Sequence, residues 1–122
     1  MKDGYNNITE KIIHCIIQVH KTLGPGFMEN IYNKALLIEL KNNSLKTESE
    51  KDIKIFYNEI EIGSHRLDLL VDDSVIIELK TVEELSKAHY AQIKSYLHAT
   101  GIKIGILVNF SKEKADYRRI EI

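Results

Sequence analysis

The sequence predicts an α/β fold in which a central mixed sheet is flanked by helices. Apolar residues recur at helical spacing in the first third, alternate with a period of two through the middle, and return to helical spacing before a last apolar, β-branched run. The predicted order is helix, helix, three or four strands, helix, strand. That order packs as a sandwich when an antiparallel meander is extended by a strand reached through a helical crossover. The 122 residues, 43% of them hydrophobic, suffice for one core and not for two, so residues 1–122 are expected to form a single domain.

Each element has a local reason. Residues 8–23 read as a helix because Ile12, Ile13, Ile16, Ile17, Val19 and Leu23 share one side, with Glu10, Lys11, Gln18 and Lys21 on the other. Asn7 or Thr9 is the expected cap, and Gly24-Pro25-Gly26 ends the helix. Residues 27–42 read as a second helix, with Ile31, Ala35, Leu36, Ile38 and Leu40 apolar and Asn42-Asn43-Ser44 as its stop. Residues 51–57 alternate as a strand, 59–62 as a shorter one, and 67–71 and 75–80 as two more joined at Asp72-Asp73-Ser74. Residues 86–100 form the third helix, capped by Ser86 and stopped at Gly101. Residues 103–110 suit a buried strand, and 117–122 an edge strand.

Composition narrows the function. The chain is too apolar for disorder, and its one proline excludes a proline-rich or collagen-like protein. No run approaches the roughly 20 apolar residues of a membrane-spanning helix, and Met1-Lys2-Asp3-Gly4 opens no signal core, so a cytoplasmic protein is expected. Cys15 is the only cysteine, which excludes an internal disulfide and a multi-cysteine zinc site; among the apolar positions of the first helix it reads as a buried structural thiol. Seventeen Lys and Arg against eighteen Asp and Glu leave a net charge of −1, so there is no basic coat for nucleic acid, although charge can be segregated onto one face. The five histidines show no HxxxH or HExxH spacing, and Gly24-Pro25-Gly26 lacks the lysine of a nucleotide-binding loop.

The chemistry is expected on the hairpin of residues 67–80. With a three-residue loop at 72–74, Val71 faces Val75, Leu69 faces Ile77 and Leu67 faces Leu79, giving one apolar side. On the other side Leu70 meets Ile76, Asp68 meets Glu78 and Arg66 meets Lys80. Two carboxylates directly opposite each other repel, so Lys80, Arg66 or a bound cation should compensate them. Paired carboxylate oxygens suit a hard divalent cation such as Mg²⁺ or Mn²⁺, which also accepts water and phosphate oxygens. Lys80, one pleat beyond Glu78, is then placed to act on a metal-bound water or on charge developing at a phosphate. The plain alternative is a solvated hairpin face, and the apolar Leu70–Ile76 pair on that same face weighs against it.

Two helix motifs add to this. Glu29 and Tyr32, three apart at the start of the second helix, share a face, although a carboxylate in a first turn is also what the helix dipole favours. His89, Gln92 and Tyr96 are expected on one polar face of the third helix, with Ile93 and Leu97 on the buried one. Gln92 and Tyr96, four apart, can reach one site together; for His89 a solvated position is the simpler reading.

Taken together, Gly26, Glu29 and Tyr32, then Asp68 with Glu78-Leu79-Lys80, then Gln92 and Tyr96 resemble the GxxExxY proteins, a compact bacterial branch of the PD-(D/E)XK nuclease superfamily. The resemblance spans nearly the whole chain, with one departure: Leu67 stands where the signature has proline. It implies a restriction-endonuclease-like α-β-β-β-α-β core and Mg²⁺-dependent phosphodiester hydrolysis. Asp68, Glu78 and Glu29 would be metal ligands and Lys80 would act on the attacking water, while Gln92, Tyr96, Tyr32, His89 and Arg66 would support the site or touch substrate. The implied partner is nucleic acid. Because near-neutral charge gives weak affinity for it, a homodimer or partner protein could complete the surface. The competing reading is a non-catalytic nucleic-acid- or protein-binding module that keeps the fold; intact Glu29, Asp68, Glu78 and Lys80 favour the enzyme, since unneutralised carboxylates would repel phosphate.

Overall fold

Alternating apolar residues in the middle of the chain build a sheet that needs cover on both faces, and the helical segments supply it. The computed structural model describes the backbone of residues 2–122 and the side chains of residues 7–122. Its elements are α1 (Lys2–Leu23), α2 (Glu29–Asn42), β1 (Thr47–Tyr57), β2 (Ile60–Val71), β3 (Val75–Lys80), α3 (Lys87–Thr100), β4 (Ile104–Asn109) and β5 (Asp116–Glu121). The strands lie in the order β1-β2-β3-β4-β5; only β3 and β4 run parallel, joined through α3. The sheet is mixed, and the fold is of the α/β class.

Two cores hold the layers together. Ile12, Ile16 and Val19 of α1 and Tyr32, Leu36 and Leu40 of α2 pack on Leu69, Val71, Val75, Ile77, Leu79, Ile106 and Val108. On the other face Ile93, Tyr96 and Leu97 of α3 pack on Leu67, Leu70, Ile76, Leu107 and Ile120. Gly105 of β4 lets α3 come close: a Cβ there would lie 2.8 Å from Ile93 Cδ1. Ser86 caps α3, its side chain accepting the N–H of His89, and Gly101 ends the helix at φ 77°, a conformation glycine adopts without steric cost.

Several local expectations need correction. α1 begins at Lys2, so Asn7 and Thr9 lie inside the helix and not at its start; the apolar periodicity starts only at Ile8, which hid the earlier turn. The segments expected at 59–62 and 67–71 join into one 12-residue strand, Ile60–Val71, with Glu59 in the turn before it, because the exposed Gly63–Arg66 stretch still pairs along β1. Ile31 and Ile38 are exposed, and Tyr32 joins Leu36 and Leu40 as the buried stripe of α2.

The hairpin register holds as far as Leu69↔Ile77, Leu70↔Ile76 and Val71↔Val75, with Asp72 and Asp73 both left-handed in the turn. The backbone pairing of β2 with β3 stops there. Leu67 packs against α3 whereas Leu69, two residues on, packs under α1 and α2. In a regular strand residues two apart share a face, so β2 rotates about its axis at Asp68. Register pairs Ser49↔Leu69 and Lys51↔Leu67 put Glu50 opposite Asp68, and Glu50 has φ 56°, a left-handed residue within the strand. The outer part of the β1–β2 hairpin is thereby turned toward α3.

Candidate active site

Where β2 turns away from β3, two carboxylates take over from the backbone ladder. Asp68 Oδ2 accepts the N–H of Leu79 at 2.8 Å, and Glu78 Oε2 accepts the N–H of Asp68 at 3.0 Å. Each carboxylate is thus fixed by the backbone of the opposite strand, with oxygen lone pairs left over. Glu78 is buried, at 4% exposure, and Asp68 is half-buried. Burial, and then repulsion from Asp68, raises the Glu78 pKa from 4.5 to about 8. Asp68 is raised too, chiefly by burial, with the Leu79 N–H and Lys80 opposing.

Lys80, two residues after Glu78, donates from Nζ to Gln92 Oε1 at 3.0 Å, so α3 holds the end of the lysine. The strand end that carries Lys80 is itself pinned. Its carbonyl accepts from Phe110 N at 3.0 Å. Fully buried Asn109 accepts the N–H groups of Val82 and Ser111 and donates to the Val82 carbonyl at 2.7 Å. Glu29, in the first turn of α2, shares a cleft with Asn33, Ser49, Glu50, Asp68 and Leu79. Glu29 is exposed as a residue, yet packing around its carboxyl raises its pKa, and Asp68 adds to this while Lys80 and His89 oppose it.

The structure therefore brings Asp68, Glu78, Lys80, Gln92 and Glu29 together. Tyr96 is close by but buried, not on a polar face. Its ring sits 5.1 Å from that of His65, its hydroxyl lies 3.5 Å from His65 Nδ1, and burial followed by the fields of Glu78 and Asp68 raises its pKa. His89 is half-buried and completes the capping box of α3, its Nδ1 accepting the N–H of Ser86 at 3.0 Å. Arg66 does not meet Lys80: the rotation of β2 carries it to the exposed side, where Nε lies 3.3 Å from Asp52 Oδ1.

Tyr32 is the other departure. It is fully buried, stacks on Phe110 with centroids 4.5 Å apart, donates to the Gly24 carbonyl at 2.5 Å and accepts the Phe27 N–H at 3.2 Å. Its hydroxyl closes the Gly24-Pro25-Gly26 loop between α1 and α2. Tyr32→Phe is expected to lower stability by about 1–3 kcal/mol, because the Gly24 carbonyl and the Phe27 N–H both lose this partner. Urea unfolding would show a lower midpoint at unchanged slope. An unchanged midpoint would mean that the hydroxyl contributes nothing to the loop.

The donor set fits a hard divalent cation. Two desolvated carboxylates that repel each other favour protons when alone and a cation when one is offered. Among the described residues, no three His, Cys, Asp or Glu side chains converge into a closed metal cage. The pair, with water and substrate oxygens, is the kind of partial shell Mg²⁺ accepts.

The family model of the PD-(D/E)XK nuclease superfamily matches residues 6–120. The chain belongs to that superfamily. Among solved structures, it is similar to the one described as the crystal structure of SSO0001, at 25% identity and a TM-score of 0.60. The match covers 75% of this chain and 48% of that one, so this chain spans about half the length of its structural relative. No curated protein matches the chain.

Asn33, Ser49, Glu50 and Asn109 are the site-building residues that sequence reasoning missed. Asparagine and serine at such positions read as turn or surface residues, and only the fold shows what they touch. The signal for Glu50 was present as a carboxylate in the strand segment before residue 51, but its left-handed backbone has no sequence mark.

Proposed function

We propose that this protein is a divalent-cation-dependent nuclease that hydrolyses phosphodiester bonds of nucleic acid, within the GxxExxY branch of its superfamily. The observation that carries the reading is the Asp68–Glu78 pair. A buried and a half-buried carboxylate, each locked by a backbone N–H of the opposite strand, stand beside a lysine held by Gln92. A folded domain gains nothing in stability from such a pair alone. Asp68 and Glu78 would hold Mg²⁺ or Mn²⁺, with Glu29, which lines the same cleft as Asp68, as a further carboxylate. When bound, the ion supplies Lewis acidity, lowering the pKa of water and neutralising phosphate charge.

The protein's own groups then have separate tasks. The Leu79 and Asp68 N–H groups keep the carboxylates oriented, so little reorganisation is needed when substrate arrives. Gln92 holds Lys80 Nζ beside them, where it can move a proton at the attacking water or steady an anionic phosphate oxygen. No helix among the described residues is long and apolar enough to cross a membrane. Action on nucleic acid in the cytoplasm, with a homodimer or partner protein adding binding surface to a nearly neutral chain, completes the reading.

The direct test is cleavage of a mixed panel of labelled DNA and RNA, single- and double-stranded, with Mg²⁺, with Mn²⁺ or with chelator. Cleavage is expected only with metal. Cleavage that survives chelator would sink the mechanism, and a panel left intact throughout would favour a binding module.

A further inference from the structure

The apolar stripe of α2 already docks that helix on the sheet through Tyr32, Leu36 and Leu40. Asn33 adds polar contacts that such docking does not require. Its Oδ1 accepts the Ser49 hydroxyl of β1 at 2.9 Å, and its Nδ2 donates to the Asp68 carbonyl of β2 at 3.4 Å. Both polar groups of the Asp68 backbone thus have side-chain partners, the N–H in Glu78 and the carbonyl in Asn33. Asn33 also lies one turn after Glu29, on the same face of α2, and both line the cleft with Asp68, Ser49 and Glu50. Ser49 immediately precedes Glu50, where the backbone turns left-handed and β2 rotates opposite it.

We propose that Asn33 is a positioning residue for the Asp68–Glu78 metal site, tying α2 to both strands at the level of the carboxylate pair. Without it the hydrophobic stripe still holds α2 on the sheet, but the direct link from the helix to the Asp68 carbonyl is lost, and Glu29, on the same helix face, is freer to shift relative to Asp68. A polar partner that orients a metal ligand commonly changes affinity 10- to 100-fold when removed. The inference rests on the nuclease-site reading above, and its test separates the two.

The experiment is calorimetric titration of the whole chain with Mn²⁺ alone, well below the melting temperature, alongside melting of each variant in chelator. Asn33→Ala is expected to weaken Mn²⁺ binding at least tenfold while its metal-free melting point falls no further than that of Leu37→Ala. Leu37 lines the same cleft from the same helix but packs against the core, so Leu37→Ala reports what loosened helix packing alone does. Ser49→Ala, which removes one of the two Asn33 bonds, is expected to weaken binding in the same direction by less, and it decides the matter if Asn33→Ala does not fold. Wild-type protein that binds Mn²⁺ while Asn33→Ala binds it equally well overturns the positioning role and leaves the site reading intact. Equal weakening in Leu37→Ala overturns it as well, by showing a merely structural effect. A wild type that gives no Mn²⁺ binding at all removes the metal site and this inference with it.

Discussion

Lys80→Ala is expected to lower metal-dependent cleavage by about 10²–10⁴-fold, the usual loss when a positioned acid–base group is removed. The fold should survive. Lys80 ends β3 half-exposed, with its amine bonded to the Gln92 side chain, so truncation opens no core cavity. The Asp68 and Glu78 carboxylates keep their backbone donors, so Mn²⁺ should still raise the melting temperature by binding the native state. Lys80→Arg is expected not to rescue, because a guanidinium does not give up its proton and its planar fork differs in shape from an ammonium. Gln92→Ala should give a smaller loss, since it frees the lysine without removing it. The measurement is single-turnover cleavage of whichever labelled substrate the wild type cuts. Equal rates in wild type and Lys80→Ala would reduce Lys80 to a charge that balances the carboxylates.

How much of this was legible without coordinates depends on whether the cause was local. The Leu69–Ile77 to Val71–Val75 register follows from hydrophobic alternation and a turn at Asp72–Ser74, both visible in the residues themselves. The Ser86 and Gly101 boundaries of α3 follow from capping chemistry and were equally plain. Strict alternation fails one step further on, at Asp68. The rotation there depends on Glu50 taking φ 56° on the neighbouring strand, a tertiary event with no mark in the hairpin's own sequence.

That single twist accounts for most of the misplacements around the site. It carries Arg66 out to Asp52, turns Leu67 into the α3-side core, brings His65 against Tyr96 and replaces the expected Asp68–Glu78 backbone pair by side-chain caps. The carboxylates still come together, as alternation requires, but they are held by N–H groups rather than simply facing across a ladder. The tyrosines misled for another reason. An amphipathic residue at a helix face reads the same whether its hydroxyl meets a strand side chain, as Tyr96 does at His65, or closes a loop, as Tyr32 does at Gly24.

Glu78→Gln, in the absence of metal, is expected to stabilise the protein above neutral pH by on the order of a few kcal/mol, which makes it the sharpest test of the carboxylate pair. In the folded chain burial, with repulsion from Asp68 second, raises the Glu78 pKa from 4.5 to about 8. Between those values the native state binds more protons than the unfolded one, so stability falls as pH rises. The contribution of Glu78 is fully present below about pH 4.5 and is lost as pH passes about 8, where the carboxylate must be charged in a buried place. Glutamine has nearly the same shape and can still accept the Asp68 N–H, but it carries no charge to desolvate. Urea unfolding in chelator at pH 5, 7 and 9 should therefore show the wild type losing stability across the series and the variant losing much less. Adding Mn²⁺ at pH 8 should reverse the order. The wild type gains by preferential binding to its native state, and Glu78→Gln, with half of the pair neutral, gains little. Parallel pH slopes in the two proteins would show that Glu78 titrates as an ordinary surface carboxylate. Equal stabilisation by Mn²⁺ would place the ion away from the Asp68–Glu78 pair, and the nuclease reading would lose the observation that carries it.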